Sequence, residues 1–410
     1  MNGAEALLAP RLEQRIIPGL ERVHRALAAL GHPERKILAV TVLGTNGKGS
    51  TAAWLSAIAT AHGLVTGLYT SPHLVPVEER IRLADVDIAG TRLTDTIASL
   101  AAFPELSYFE ALTVAAILEF SRLPVDLAVL EAGLGGRWDA VNAVDAPVAL
   151  LTNIGLDHQA WLGSSRTAIA AEKAAALRGS LALVGEWDDE VESTIRSSAA
   201  PATRIMLASD WANLTAGPLG AEITVAGLRV PVRPPLAGAH QLANLRLAVA
   251  GAAALASLGL HPPLEAAALA AGIAAVRWPG RLQWVRVAGR DVLVDGAHNR
   301  EAATCLASAL DDLGLSGKVH LVFSCLRDKP LEAMAALLAP RAASVTVAPL
   351  ASPRATDVAR LAAAFPGAVA TDSVAAALAG SPGDGPILAT GSLRTVGEVL
   401  RLAEEEHNAR

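Results

Sequence analysis

"LGTNGKGST" occupies Leu43 to Thr51, and whether it is a phosphate-binding loop decides how the rest of the 410-residue chain is read. The usual phosphate loop has a glycine five residues before its Gly-Lys pair and a Ser or Thr directly after the lysine. Here Val42 stands at the first of those places and Gly49 at the second. The flanks nevertheless favour the loop. "ILAVTVL" (Ile37 to Leu43) reads as a buried strand, and the residues that follow, to about Ala61, read as a helix. A strand feeding a glycine loop that opens a helix surrounds an anion with backbone N–H groups, and Lys48 supplies a point charge for β- and γ-phosphates. A glycine-rich turn without a ligand would share these letters but has no need of both flanks.

Outward from the loop, strand-like and helix-like apolar segments alternate, the pattern of an α/β protein with largely parallel sheets. "VDLAVLEAG" (Val125 to Gly133) and "PVALLTNIG" (Pro147 to Gly155) read as buried strands ending in polar loops, and "VTGLY" as a shorter one. "EITVAGLRVPVR" (Glu222 to Arg233) reads as a hairpin turning at Ala226-Gly227. Ala-rich helices are expected over about 240–257 and 264–275. "RWPGRLQW" (Arg277 to Trp284) then breaks the pattern with Pro279 and Gly280, which places a domain boundary there. Beyond it "VLVDGAHN", "KVHLVFS", "SVTVAPL" and "PILATGS" each read as a strand leading to a helix. The expectation is an N-terminal P-loop ATPase domain with a mostly parallel sheet over residues 1–280. A smaller C-terminal Rossmann-like α/β domain follows over 281–410.

Composition excludes several classes. Hydrophobic residues are 52% and charged ones 18%, enough apolar material for buried cores. A net charge of -6 offers no basic excess to neutralise a nucleic-acid backbone. Two cysteines, Cys305 and Cys325, are too few for a disulfide framework and fit a reducing cytosol. No export signal is read at the N-terminus, and the uncharged stretch Leu247 to Leu264 is broken by His261-Pro262-Pro263, which suits a soluble helix and loop better than a membrane span. Of the 34 basic residues five are lysine (Lys36, Lys48, Lys173, Lys318, Lys329) and the rest arginine. High-GC codon usage explains that skew, yet under it a retained lysine points mildly to a place where a guanidinium cannot serve.

Further motifs gather at expected strand ends. In "EAGLGGRWDAVN", Glu131 closes a parallel strand and is well placed to hold Mg²⁺ opposite the phosphate loop, although a strand end with a glycine turn looks the same. "TNIGLDHQAWLG" puts Asp157-His158 past another strand, with Glu172-Lys173 following. "SPHL" brings Ser71 to a third strand end, or is merely a turn set by Pro72. "GAHQLANLRLA" places His240, Gln241 and Asn244 at a helix start, where an ordinary cap is the competing reading. "DGAHN" (Asp295 to Asn299) sets a carboxylate and an imidazole at a strand end near the boundary, suggesting a site in the cleft between domains.

In their order and spacing, "GTNGKGS", "TSPHL", "EAGLGGRWDAVN", "GLDHQAWLG…EK", "GAHQ..N", "PGR" and "DGAHN" resemble the folylpolyglutamate synthase/dihydrofolate synthase family of the Mur ligase superfamily. The likeness runs from about residue 40 to "ATGSLRTVGEV" (Ala389 to Val399), and a loop with glycine after its lysine is that family's own version. The resemblance implies that Asn46, Gly47, Lys48, Gly49 and Ser50 bind ATP phosphates, and that Asn244, Arg281 and Asp295 contact ATP, with His298 nearby. It implies Ser71, Glu131 and His158 as Mg²⁺ ligands and Lys173 as a lysine carried as its carbamate, so that Lys48, Lys173, His158 and His298 form the catalytic set. Ser107 and Phe109 of "SYFEALT", with Trp138 and Asp139, would hold the pterin of the acceptor. Two stretches depart from the family pattern. "SPHLVPVEERI" lacks an aromatic residue or asparagine before its Glu-Arg pair, and "SCLRDKP" (Ser324 to Pro330) has Ser where glycine is usual.

The implied activity is ATP-dependent addition of L-glutamate to dihydropteroate and to folates through an acyl phosphate. The expected partners are those small molecules, with no nucleic acid and no membrane, for a cytoplasmic monomer. A folylpolyglutamate synthase without the dihydropteroate activity is the alternative. A P-loop kinase or nucleotide switch would account for Lys48 and Glu131, but not for Lys173 with His158 or a second domain bearing Asp295.

Overall fold

The computed structural model describes residues 3–11, 17–217 and 220–408, the last without its side chain. The outermost residues of the two expected domains, 1–2 and 409–410, lie outside that set. The chain divides into two compact units, one of Met1–Pro235 with Gln241–Arg277 and the other of Leu236–His240 with Trp278–Arg410.

In the first unit β1 (Ala39–Leu43), β2 (Thr66–Tyr69), β3 (Ile81–Leu83), β4 (Val86–Asp87), β5 (Leu127–Glu131), β6 (Val148–Leu151), β7 (Leu181–Val184) and β8 (Arg204–Leu207) share one sheet. Its order is β4-β3-β2-β5-β1-β6-β7-β8, antiparallel only where β3 meets β2 and β4. The parallel strands β1, β2, β5, β6 and β7 are buried along their whole length, as their largely apolar, non-alternating sequences suit in a sheet covered on both faces. β1 lies between β5 and β6, so the chain lies to one side of β1 through β5 and crosses to the other side at β6. Such a switch point is where open α/β sheets bind ligands, beyond the carboxyl ends of the strands. Register fixes what gathers there: Val42 pairs with Glu131 and Leu43 with Leu151.

The helix Lys48–Ala61 follows the glycine loop and buries nearly every residue. Its apolar residues surround the axis, the signature of a helix enclosed by protein. The helix Ala266–Ala275 packs directly on it through a glycine: a Cβ at Gly272 would lie 2.7 Å from Ile58 Cα. β10 (Gly220–Val225) and β11 (Leu228–Val232) form the expected hairpin, with Ala226 at φ 48° and Gly227 at φ 79° in its turn. A third strand, β9 (Ala212–Gly217), completes that sheet.

The second unit contains β12 (Gln283–Val287), β13 (Arg290–Val294), β14 (Val319–Phe323), β15 (Ala342–Val347), β16 (Val369–Ala370) and β17 (Ile387–Thr390), ordered β12-β13-β17-β14-β15-β16. Only β12 runs antiparallel to its neighbour. This is the smaller α/β domain expected from the sequence, with its core built around Leu293, Leu321, Phe323 and Leu388.

Candidate active site

The glycine loop is held by the polar end of β6. Thr45 N–H donates to Asn153 O and Asn46 N–H to Asn153 Oδ1, each at 3.0 Å, while Thr152 Oγ1 donates to Asn46 O at 2.6 Å. The stretch "TNIG" is thus the brace of the loop, a role its letters do not announce. Gly47 caps the helix at φ 82°, and a Cβ there would stand 2.2 Å from Asn244 Oδ1. Asn244, some two hundred positions away in sequence, therefore lies directly against the loop, with its Nδ2 donating to Gln241 Oε1 at 3.1 Å. Lys48 Nζ donates to Thr45 O at 3.2 Å. Ser50 Oγ and Thr51 Oγ1 are buried and have no hydrogen-bond partner among the described residues. Orphaned hydroxyls in the first turn of a helix, behind a glycine loop, suit phosphate oxygens and a phosphate-bound cation.

Glu131, at the end of β5, is buried, and its Oε2 accepts the Ser71 N–H at 3.0 Å, which brings two of the expected metal ligands together. His158 is an exposed residue in the left-handed region at φ 52°; its N–H donates to Asp157 Oδ1 at 2.8 Å. Among the described residues no group of three or more His, Cys, Asp or Glu side chains could hold a metal ion. A hydroxyl, one carboxylate and one imidazole nevertheless fit Mg²⁺, which commonly takes one or two protein carboxylates and completes its shell with substrate phosphates and water.

Lys173 is not the exposed partner of Glu172. It is 4% exposed, its Nζ donates to Gly44 O at 2.7 Å, and Glu172 pairs with Arg137 at 3.4 Å. The end of the helix Arg166–Ala174 abuts the glycine turn after β5 closely: a Cβ at Gly136 would lie 2.8 Å from Lys173 O. Burial, and then the nearby charge of Lys48, push the Lys173 amine down to about 7, against the opposing pull of Asp157 and Asp139. The neutral amine is thus well populated near neutral pH. Between about 7 and the ordinary 10.5 the unfolded chain binds the extra proton, so this group makes stability rise with pH through that window. In degassed buffer, Lys173→Met is expected to flatten the rise in Tm between about pH 7 and pH 10; an unchanged slope would show that Lys173 is already charged in the fold.

Ser107 caps the helix Tyr108–Arg122. Phe109 is wedged between Gly133, where a Cβ would lie 2.6 Å from its ring, and Tyr69, whose ring centroid is 5.9 Å away. Trp138 and Asp139, adjacent in sequence, part company. Trp138 is 51% exposed. Asp139 is buried, with Oδ2 accepting from Leu134 N–H at 2.8 Å and Oδ1 from Val141 N–H at 3.1 Å, so it closes the glycine turn from within. Burial pushes its carboxyl up to about 6, although those amides and Lys48 favour the charged form.

In the second unit Asp295 directly follows β13, with Oδ2 accepting from Leu282 N–H at 3.0 Å and Oδ1 from Ala297 N–H at 2.9 Å. Arg281 lies alongside: a Cβ at Gly296 would be 2.9 Å from its Nη1. His298 Nδ1 is 2.8 Å from Gly296 O, and Asn299 caps the helix Arg300–Asp312. His240 joins this group. Burial holds its imidazole below the ordinary value, with Asp295 raising it and Arg281 lowering it further. "GAHQ" carried that signal, but only the fold shows that its histidine faces Asp295 while its neighbour Asn244 faces Gly47.

Residues 42–253 match the Mur ligase middle domain, and residues 280–391 match the Mur ligase glutamate ligase domain. The dihydrofolate synthase/folylpolyglutamate synthase of Mycobacterium tuberculosis is 36% identical over 369 residues, covering 82% of this chain and 75% of that protein. A probable bifunctional folylpolyglutamate synthase/dihydropteroate synthase of Haloferax volcanii is 34% identical over 348 residues, 80% of this chain but only 40% of that longer protein. The crystal structure of the Yersinia pestis bifunctional folylpolyglutamate synthase/dihydrofolate synthase, complexed with AMPPNP and a Mn ion, superposes with a TM-score of 0.84 at 31% identity, covering 98% of both chains.

Proposed function

The chain belongs to the dihydrofolate synthase/folylpolyglutamate synthase family of Mur ligases, and from that premise we propose that it joins L-glutamate to dihydropteroate and to folates at the expense of ATP. The observation that carries the reading is the convergence on Lys173. Its amine donates to Gly44 O of the phosphate loop at 2.7 Å, and its backbone abuts Gly136 of the glycine turn after Glu131 so closely that only glycine is allowed there. A kinase or nucleotide switch has no use for a buried neutral amine beside its phosphate loop.

The acceptor carboxylate attacks the γ-phosphorus of ATP; its O–P bond forms as the bond to ADP breaks, giving an acyl phosphate. The neutral amine of L-glutamate then attacks the acyl carbon, loses a proton, and phosphate leaves with its bonding electrons. Positioning and charge neutralisation dominate such a transfer. Asn46, Gly47, Gly49 and Ser50 orient the phosphates through the loop and helix N-terminus, and Lys48 neutralises them. Ser71, Glu131 and His158 would hold a divalent cation, which when bound polarises the phosphate oxygens. Lys173 would serve as its carbamate: the neutral Nζ adds to the carbon of CO₂, one N–H proton is lost, and the resulting anion would be a hard ligand for the cation or a partner for its bound water. Asn244, Arg281 and Asp295 contact the nucleotide, His298 acts nearby, and Ser107, Phe109, Trp138 and Asp139 hold the pterin. One chain carries every group invoked, which supports a monomer; use of ATP and two free cysteines support the cytoplasm.

Phosphate release tests the reading, with ATP and L-glutamate present and dihydropteroate or a reduced folate added in turn. Release is expected with either acceptor. Release with folate alone would leave a folylpolyglutamate synthase, and release with neither would end the proposal. Asp139→Ala is expected to depress ligation to dihydropteroate more than to a folate monoglutamate; equal losses would reduce Asp139 to the turn residue its two backbone partners already make it.

A further inference from the structure

The helix Tyr108–Arg122 begins with a capping box in which Ser107 Oγ accepts the Glu110 N–H at 3.3 Å and Glu110 Oε2 accepts the Ser107 N–H at 2.7 Å. Such a box works with a neutral glutamine in place of the acid and needs no cation. Here one is supplied. Glu110 is only 7% exposed, and Arg22 meets it with Nη2 2.7 Å from Oε1 and Nε 3.4 Å from Oε2. The same Nη2 donates to Ile17 O at 2.7 Å and Gly19 O at 3.1 Å. Arg22 therefore fastens the turn before the helix Glu21–Ala29 to the first turn of the helix that carries Phe109. A planar fork with fixed donors can hold these partners together; a single ammonium matches them poorly.

Phe109 follows the cap by two residues, and its ring has little room. It lies against Gly133 on one side and Tyr69 on the other, with Thr113 Oγ1 donating to Phe109 O at 2.9 Å. A shift of the first turn would move the ring relative to the glycine turn. A buried carboxylate that loses its cation turns outward or takes up a proton, and either change loosens the cap.

We propose that Arg22 is a positioning residue for the ligation reaction: acting through Glu110, it holds Ser107 and Phe109 where the ring system of the acceptor binds. This rests on the acceptor-side reading of those two residues given above.

Steady-state kinetics on the full-length enzyme test it, with Phe109→Ala as the reference. In Arg22→Ala the KM for the acceptor is expected to rise about tenfold while the KM for ATP stays within about twofold. Arg22→Lys, which lacks the fork, is expected to raise the acceptor KM by about threefold or more. The double variant Arg22→Met/Glu110→Gln keeps a neutral cap and leaves no buried charge unpaired, so it should regain most of the acceptor affinity. A purely structural role would lower Tm and the folded fraction without separating the two KM values, and that result overturns the proposal. So does an unchanged acceptor KM in Arg22→Ala, or in Arg22→Lys should the alanine variant not fold. An unaltered acceptor KM in Phe109→Ala would instead place the failure in the reading of the acceptor side.

Discussion

Lys173→Arg is expected to ligate glutamate on the order of 10²–10³-fold more slowly than the native enzyme, the scale on which removing one electrostatic group from a catalytic site acts. Lysine and arginine differ here in a way that charge and length do not capture. A guanidinium stays protonated under all ordinary conditions and cannot add to CO₂. Lys173, pushed down to about 7 by its burial, can do so near neutral pH. Arginine would also carry an obligatory charge into a site 4% exposed and already near the ammonium of Lys48. Labelled CO₂ supplies a second readout: a carbamate carbon resonance is expected from native protein and not from Lys173→Arg. Lys173→Ala should be inactive as well, and a small carboxylic acid entering the vacated space should restore part of the rate. Near-native turnover by Lys173→Arg would remove the carbamate from the mechanism.

Gly47→Ala is expected to raise the KM for ATP by about a hundredfold or more while the chain still folds. Two penalties coincide at this position. The backbone sits at φ 82°, which an L side chain adopts only with strain of about 1–2 kcal/mol. The new methyl would also stand 2.2 Å from Asn244 Oδ1, so either Asn244 or the loop must give way. Removing the obstacle separates the two: Gly47→Ala/Asn244→Ala should bind ATP better than Gly47→Ala alone, retaining only the strain and the lost contact of Asn244. An ATP KM within twofold of native in Gly47→Ala would show that the loop approaches phosphate less closely than proposed.

The parts legible in the sequence are those whose chemistry is local. "ILAVTVL" is apolar without alternation because β1 is covered on both faces, and the glycine loop follows it directly, so strand, loop and helix Lys48–Ala61 can be read as one unit. The expected strand over 125–133 shortens to Leu127–Glu131, but its functional end is where the letters put it. β9 was not legible. "ANLTAG" has little of the β-branched or aromatic content that marks a strand, and its order comes from pairing with β10. β12 hides behind Pro279-Gly280, which signals a break more strongly than "QWVRV" signals a strand. Within the site, the missing information was three-dimensional. Asp139 and Trp138 are neighbours in sequence with opposite exposure, and nothing short of the fold places Arg22 on Glu110.

The burial of Lys173 also bears on how the protein could be engineered. A buried amine that the fold prefers neutral lowers stability throughout the pH range where the free side chain would be charged. Methionine at this position would fold without that cost, and arginine is the basic residue the chain uses at all but five positions. A library screened only for thermal robustness is expected to discard Lys173 among its first gains, and with it the ligation if the carbamate is required.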